Sequence, residues 1–85
     1  MTTFVIPRHG HKNFEDMLVK WDWVEKNFGK CSYDKTTWTW YFHDDTDDFV
    51  EFVFHNEAIA SWFVLQFPEV LTLEQFERKQ LYNEE

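Results

Sequence analysis

The stretch Thr36-Thr37-Trp38-Thr39-Trp40-Tyr41-Phe42 is followed, after His43 to Asp47, by Asp48-Phe49-Val50-Glu51-Phe52-Val53-Phe54-His55. Both halves consist largely of β-branched and aromatic residues, which suit a pleated and half-buried surface. In the first half Trp38, Trp40 and Phe42 share one face, with Thr37, Thr39 and Tyr41 on the other. In the second half Val50, Phe52 and Phe54 share one face, with Phe49, Glu51 and Val53 opposite. The polar segment between them predicts an antiparallel hairpin of two long strands.

On the N-terminal side, Thr3 to Arg8 reads as a short first strand, stopped by Pro7 and the polar Arg8-His9-Gly10-His11. From Asn13 the period changes. Phe14, Met17, Leu18, Trp21, Val24 and Phe28 recur at steps of three and four, which puts them on one helical stripe. Asn13 fits the cap position, and Gly29 ends the helix. Trp23 falls off the stripe and is a candidate exposed anchor. On the C-terminal side, Asn56 opens a short helical segment and Trp62 to Phe67 reads as a fourth strand closed by Pro68. Thr72-Leu73-Glu74-Gln75 has the form of a capping box for a last helix over about 72–82. Strand, helix, strand, strand, helix, strand is the ferredoxin-like βαββαβ order. The expectation is an α+β fold, a four-stranded antiparallel sheet with helices on one face plus a C-terminal helix. A helix on a simple antiparallel meander is the alternative. With 85 residues the chain makes a single domain, with a core over about 3–67.

Several segments together resemble small uncharacterised proteins of T4-like tailed phages, including phages of marine cyanobacteria. They are Ile6-Pro7-Arg8-His9-Gly10-His11, Trp23-Val24-Glu25-Lys26-Asn27-Phe28-Gly29, and Phe52 to Ala60 with the hydrophobic run after it. The resemblance covers about residues 4–67. It implies a viral accessory or host-takeover protein working in a bacterial cytoplasm, and it brings no catalytic residues.

Charge is distributed unevenly. Residues 1–35 carry five acids and six bases, whereas Thr36 to Glu77 carries nine acids and no Lys or Arg, within a net charge of −8. Such a surface repels phosphates, so direct nucleic-acid binding is not expected, and an anionic membrane is disfavoured for the same reason. A basic bacterial or viral protein fits on sign. A DNA mimic, with rows of carboxylates standing in for phosphates, is a second reading. No apolar run reaches the roughly 20 residues that cross a bilayer, and the first residues lack the pattern of a signal peptide, so a cytoplasmic location is expected.

Candidate chemistry is sparse. Arg8-His9-Gly10 after an apolar strand matches the start of the histidine phosphatase signature, but no second Arg-His set follows, and a polar strand-to-helix turn explains it as well. His55 follows the third strand, which is read as running parallel to the first, so His9, His11 and His55 outline a candidate metal site and with it a small metal-dependent enzyme. Cys31, the only cysteine, pairs with nothing. Asp44, Asp45, Asp47 and Asp48 lack the order and the Gly of a calcium loop. A non-catalytic binding protein without a cofactor is therefore the leading expectation. Its partner-binding residues are read as Trp23 on the first helix, with Tyr41, Asp44, Asp45, Asp47, Asp48, Phe49 and Glu51 on an open sheet face or hairpin tip that also leaves room for a homodimer.

Overall fold

The computed structural model describes residues 1–31, 37–45 and 48–83. The order is β1 (Thr2–Pro7), α1 (His11–Phe28), β2 (Trp38–Phe42), a short 3-10 turn (His43–Asp45), β3 (Phe49–Phe54), α2 (Glu57–Gln66), β4 (Leu71–Thr72) and α3 (Leu73–Asn83). The sheet runs β2-β3-β1-β4 and every neighbouring pair is antiparallel. The fold is thus α+β, with a four-stranded antiparallel sheet and three helices.

Alternation along the strands decides which side chains face the helices. Phe4 and Ile6 of β1 lie opposite Phe52 and Val50 of β3, and these in turn lie opposite Trp40 and Phe42 of β2. With Trp38 and Phe54 they form the apolar face that receives Met17 and Val24 of α1 and Ala60 and Phe63 of α2. Rings meet edge-on across this layer: Trp21 lies 5.4 Å from Trp38, 5.1 Å from Trp40 and 5.6 Å from Phe52. Trp38 is buried without an orphaned donor, because its Nε1 donates to the Gly29 carbonyl at 2.9 Å. The opposite face is covered in part by α3, whose Phe76 packs 4.9 Å from Phe49 and 5.2 Å from His43, and Val5 and Val53 are also buried there.

Helix α1 begins two residues before Asn13. Gly10 turns the chain at φ 96° and its carbonyl accepts the first helical bond, from Phe14 N at 2.9 Å. Asn13 is already inside the first turn, where its amide donates to the His9 carbonyl. Gly29, at φ 85°, ends the helix as expected, donating to the Glu25 carbonyl. The stripe is only partly interior: Met17 and Val24 are buried, whereas Phe14 and Leu18 are exposed beside the edge of β2. Lys20 is the unforeseen interior residue of α1. Its side chain is only 10% exposed, with Nζ 3.3 Å from Glu69 Oε1 and 5.2 Å from the centre of the Phe67 ring.

The fourth strand expected over Trp62 to Phe67 does not form. The helix opened at Asn56 continues through Gln66, and the strand that completes the sheet is the two-residue Leu71–Thr72, paired with Val5 and Phe4. Physically, Asn56 Oδ1 accepts from Ala58 N at 2.8 Å, and no Gly or Pro interrupts the chain before Pro68. Because nearly every residue from Ala58 to Phe67 is apolar, hydropathy there carries no usable period. The capping box is realised: Gln75 N donates to Thr72 Oγ1 at 3.2 Å, and Thr72 N donates to Gln75 Oε1 at 3.0 Å.

Candidate interaction surface

Helix α2 carries apolar residues on two sides where one would suffice. Inward, Phe63 is fully buried, with ring centres of Phe4, Phe54, Phe67, Phe52 and Trp23 between 5.0 and 6.2 Å away, and Ala60 is buried beside it. Outward, Trp62 is 61% exposed and Leu65 is 80% exposed, with Val64 also open to solvent. A cavity of about 250 Å³ lined by Phe28, Ala58, Ile59 and Trp62 opens beside the indole. The outer side is mixed, since exposed Glu57, Ser61 and Gln66 share it with these apolar groups. Scattered surface apolar residues need no explanation, but an indole and an isobutyl group one turn apart, next to an apolar hollow, form an anchor of the kind found at interface centres.

The residues singled out in the sequence are dispersed by the fold. Trp23 is not an exposed anchor: it packs 5.5 Å from Phe28 and 5.6 Å from Phe67, in the seam between α1 and α2. Phe49 does not lie on an open face, because Phe76 of α3 covers it. Glu51 is mostly buried and is bound by His43, whose Nδ1 lies 2.7 Å from Glu51 Oε2 while its Nε2 lies 3.2 Å from Asp44 Oδ2. Tyr41, Asp44 and Asp48 are exposed at the β2–β3 end, where Asp44 has φ 48°. Asp47 and the side chain of Asp45 lie outside the described residues.

The three imidazoles proposed for a metal do not converge. Since β1 and β3 are antiparallel, with Thr2 opposite Phe54 and Pro7 opposite Phe49, His55 follows β3 at the end of the sheet where β1 starts. His9 and His11 lie beyond the other end, a strand length of roughly 20 Å away. His55 Nε2 instead lies 3.2 Å from Thr39 Oγ1, His9 faces Asp48 at 3.5 Å and His11 faces Glu15 at 3.1 Å. Among the described residues no group of three or more His, Cys, Asp or Glu side chains is arranged so that it could hold a metal ion. Arg8 lies over the rings of Phe14 and Phe42, at 5.6 and 5.4 Å from their centres.

Comparison with family models, with curated proteins and with solved structures finds no match to this chain. No helix among the described residues is long and apolar enough to cross a membrane.

The exposed residues Trp62 and Leu65 escaped sequence reasoning because assigning a strand to Trp62–Phe67 spread them over its two faces. The cap at Asn56 was the signal that could have found them. Run forward at 100° per residue from that cap, it puts Ala60, Phe63 and Phe67 on one side and Trp62 and Leu65 off it.

Proposed function

We propose that the chain is a non-catalytic binding protein that docks on a bacterial or viral protein through the outer face of α2. The observation that carries this reading is the combination of Trp62, Leu65 and the adjoining apolar cavity on a helix whose opposite side is already satisfied by the core. Trp62 and Leu65 supply contact area with few rotamers to freeze. The one charge on α2 is Glu57, and the helix lies within the segment from Thr36 to Glu77 that has no Lys or Arg. The complementary surface is therefore an apolar pocket with a basic rim, to which the acidic field speeds encounter. The resemblance to small proteins of tailed phages supports placing that partner in a bacterial cytoplasm. A ferredoxin-like arrangement is the finer reading of the fold. It is supported by the central position of β1 and β3, with the short C-terminal strand at the edge.

The test is capture from a nuclease-treated bacterial lysate with the intact chain and with Trp62→Ala and Leu65→Lys, both checked for unchanged circular dichroism. A protein retained through high salt by the parent should bind Trp62→Ala at least roughly 30-fold more weakly, the equivalent of about 2 kcal/mol at an interface centre. A partner held equally by all three chains, or released by salt alone as a mimic of nucleic acid would be, removes this reading.

A further inference from the structure

We infer that the outer edge of β2 pairs with β2 of a second copy of this chain, antiparallel about a two-fold axis at Trp40, giving a dimer with one continuous sheet. The argument starts from the backbone. His55 N donates to the Thr37 carbonyl at 2.8 Å, and the register places Thr39 opposite Val53 and Tyr41 opposite Glu51. In an antiparallel ladder the residues that exchange bonds with one neighbour alternate with those whose groups point away. Thr37, Thr39 and Tyr41 therefore bond to β3, and Trp38, Trp40 and Phe42 point their N–H and C=O groups outward. Among the described residues no strand pairs with that side of β2.

This edge lacks the devices by which edge strands normally avoid pairing. Within Trp38–Phe42 there is no Pro, no Lys, no bulge and no charged side chain. Beside it, on the helix face, runs an apolar groove of about 250 Å³ whose walls include Leu18, Trp21, Trp40 and Phe42. Phe14, Leu18 and Phe42 are the half-exposed members of that wall.

The occupant follows from the charges at the two ends of the strand. Where β2 begins, Trp38 is tied to Gly29, which is followed by exposed Lys30, while Lys26 in the last turn of α1 is paired with Asp22 at 3.1 Å. Where β2 ends, Asp44 and Asp48 are exposed. Antiparallel pairing sets the acidic end of each copy against the basic end of the other, so this edge is complementary to itself even though the chain carries a net −8. Centred on Trp40, the pairing sets Trp40 opposite Trp40 and Trp38 opposite Phe42 of the second copy. It brings the two grooves side by side on one face of the sheet and withdraws Phe14, Leu18 and Phe42 from water.

The experiment combines sedimentation velocity, from low micromolar to millimolar concentration, with residue-resolved amide hydrogen exchange. The expected result is a species of twice the 10.5 kDa chain mass at high concentration. The amides of Trp40 and Phe42 should exchange freely in the monomer and become protected as the dimer forms, while those of Thr39 and Tyr41 are protected throughout. Phe42→Lys, which places a lysine on the edge, should keep the circular dichroism of the parent and lose the dimer. Leu65→Lys on α2 should leave the dimer intact, which keeps this inference separate from the proposed docking site. A chain that stays monomeric throughout overturns the inference. So does a dimer in which the Trp40 and Phe42 amides remain unprotected, or one that survives Phe42→Lys.

Discussion

Phe63→Ala and Leu65→Lys, two residues apart in one helix, should differ in stability by about 3–5 kcal/mol. Phe63 is fully buried and touches rings from β1, β3, α1 and the segment after α2. Its truncation removes the transfer energy of the ring and leaves a cavity that stacked aromatic neighbours collapse into only partly, a loss of about 3–5 kcal/mol. An 85-residue domain has in total about 4–13 kcal/mol to lose. Leu65 points to solvent in the last turn of α2, a turn that holds no basic residue. A lysine there removes no packing and meets the negative end of the helix dipole, so the change should fall within about 0.5 kcal/mol of zero or be mildly stabilising.

Chemical denaturation followed by far-ultraviolet circular dichroism, with matched thermal melts, reads both variants. Phe63→Ala should lower the melting temperature by at least roughly 12 °C, at about 4–8 °C per kcal/mol for a domain of this size. The pair discriminates between the two structures that these residues can build. In a strand, Phe63, Leu65 and Phe67 would share one face, and a lysine at 65 would be forced into the core at a cost comparable to the loss of Phe63. Equal and large destabilisation by both variants would refute the helical assignment of 57–66 and, with it, the docking surface built on Trp62 and Leu65.

Further outcomes follow from single contacts. Asn56→Ala and Thr72→Ala each remove a helix cap and should each cost about 1 kcal/mol in equilibrium unfolding, additively, because they cap different helices. The Glu57 carboxylate accepts from the Met1 amino group at 2.8 Å and from Thr2 Oγ1 at 2.9 Å. The bond from the amino group first, then that from Thr2 and the amino charge, hold its pKa below the ordinary 4.5. The stability this adds is present above the ordinary value and is lost as pH falls through the folded pKa. A carboxyl-detected NMR titration should show Glu57 titrating below 4.5, and acetylation of Met1 should move it back up. Lys20→Met should be neutral or stabilising in the same unfolding assay, because a thioether fills the space over Phe67 and Glu69 is left in solvent, not stranded in the interior.

What the sequence made legible is what has a period. In the β2–β3 pair the two-residue period of a strand assigns each side chain to a face, and the two faces came out with the right members. The stripe of α1 and the Thr72 box were equally explicit, because each depends on residues three or four apart. The segment after Asn56 has no period: apolar residues serve both the inner and the outer side of α2, so a strand and a helix read alike. Lys20 stayed hidden for a related reason, since a lysine on an amphipathic helix is ordinarily solvated and only the approach of Glu69 and Phe67, distant in sequence, makes its burial tolerable. The histidines failed on topology. Their proximity depended on the relative direction of β1 and β3, and the antiparallel pairing puts His55 at the opposite end from His9 and His11. The site was less legible than the fold, because an interface is defined by what remains uncovered after packing.

The two proposed surfaces make a joint prediction. A two-fold axis through paired β2 strands leaves both helical layers on the same side of the extended sheet, so a dimer offers two α2 faces to one surface. Toward a partner that repeats along a filament or shell, the second contact becomes intramolecular, and apparent affinity exceeds that of one face by about 10²–10⁴ where the spacing allows both to bind. Phe42→Lys should then lower retention on an array of immobilised partner by that factor while leaving the affinity for a single soluble partner unchanged. Leu65→Lys should abolish both and leave the mass of the dimer intact. Equal loss of soluble affinity from Phe42→Lys would mean instead that the edge of β2 contacts the partner itself, and the division of labour between strand edge and helix would fall.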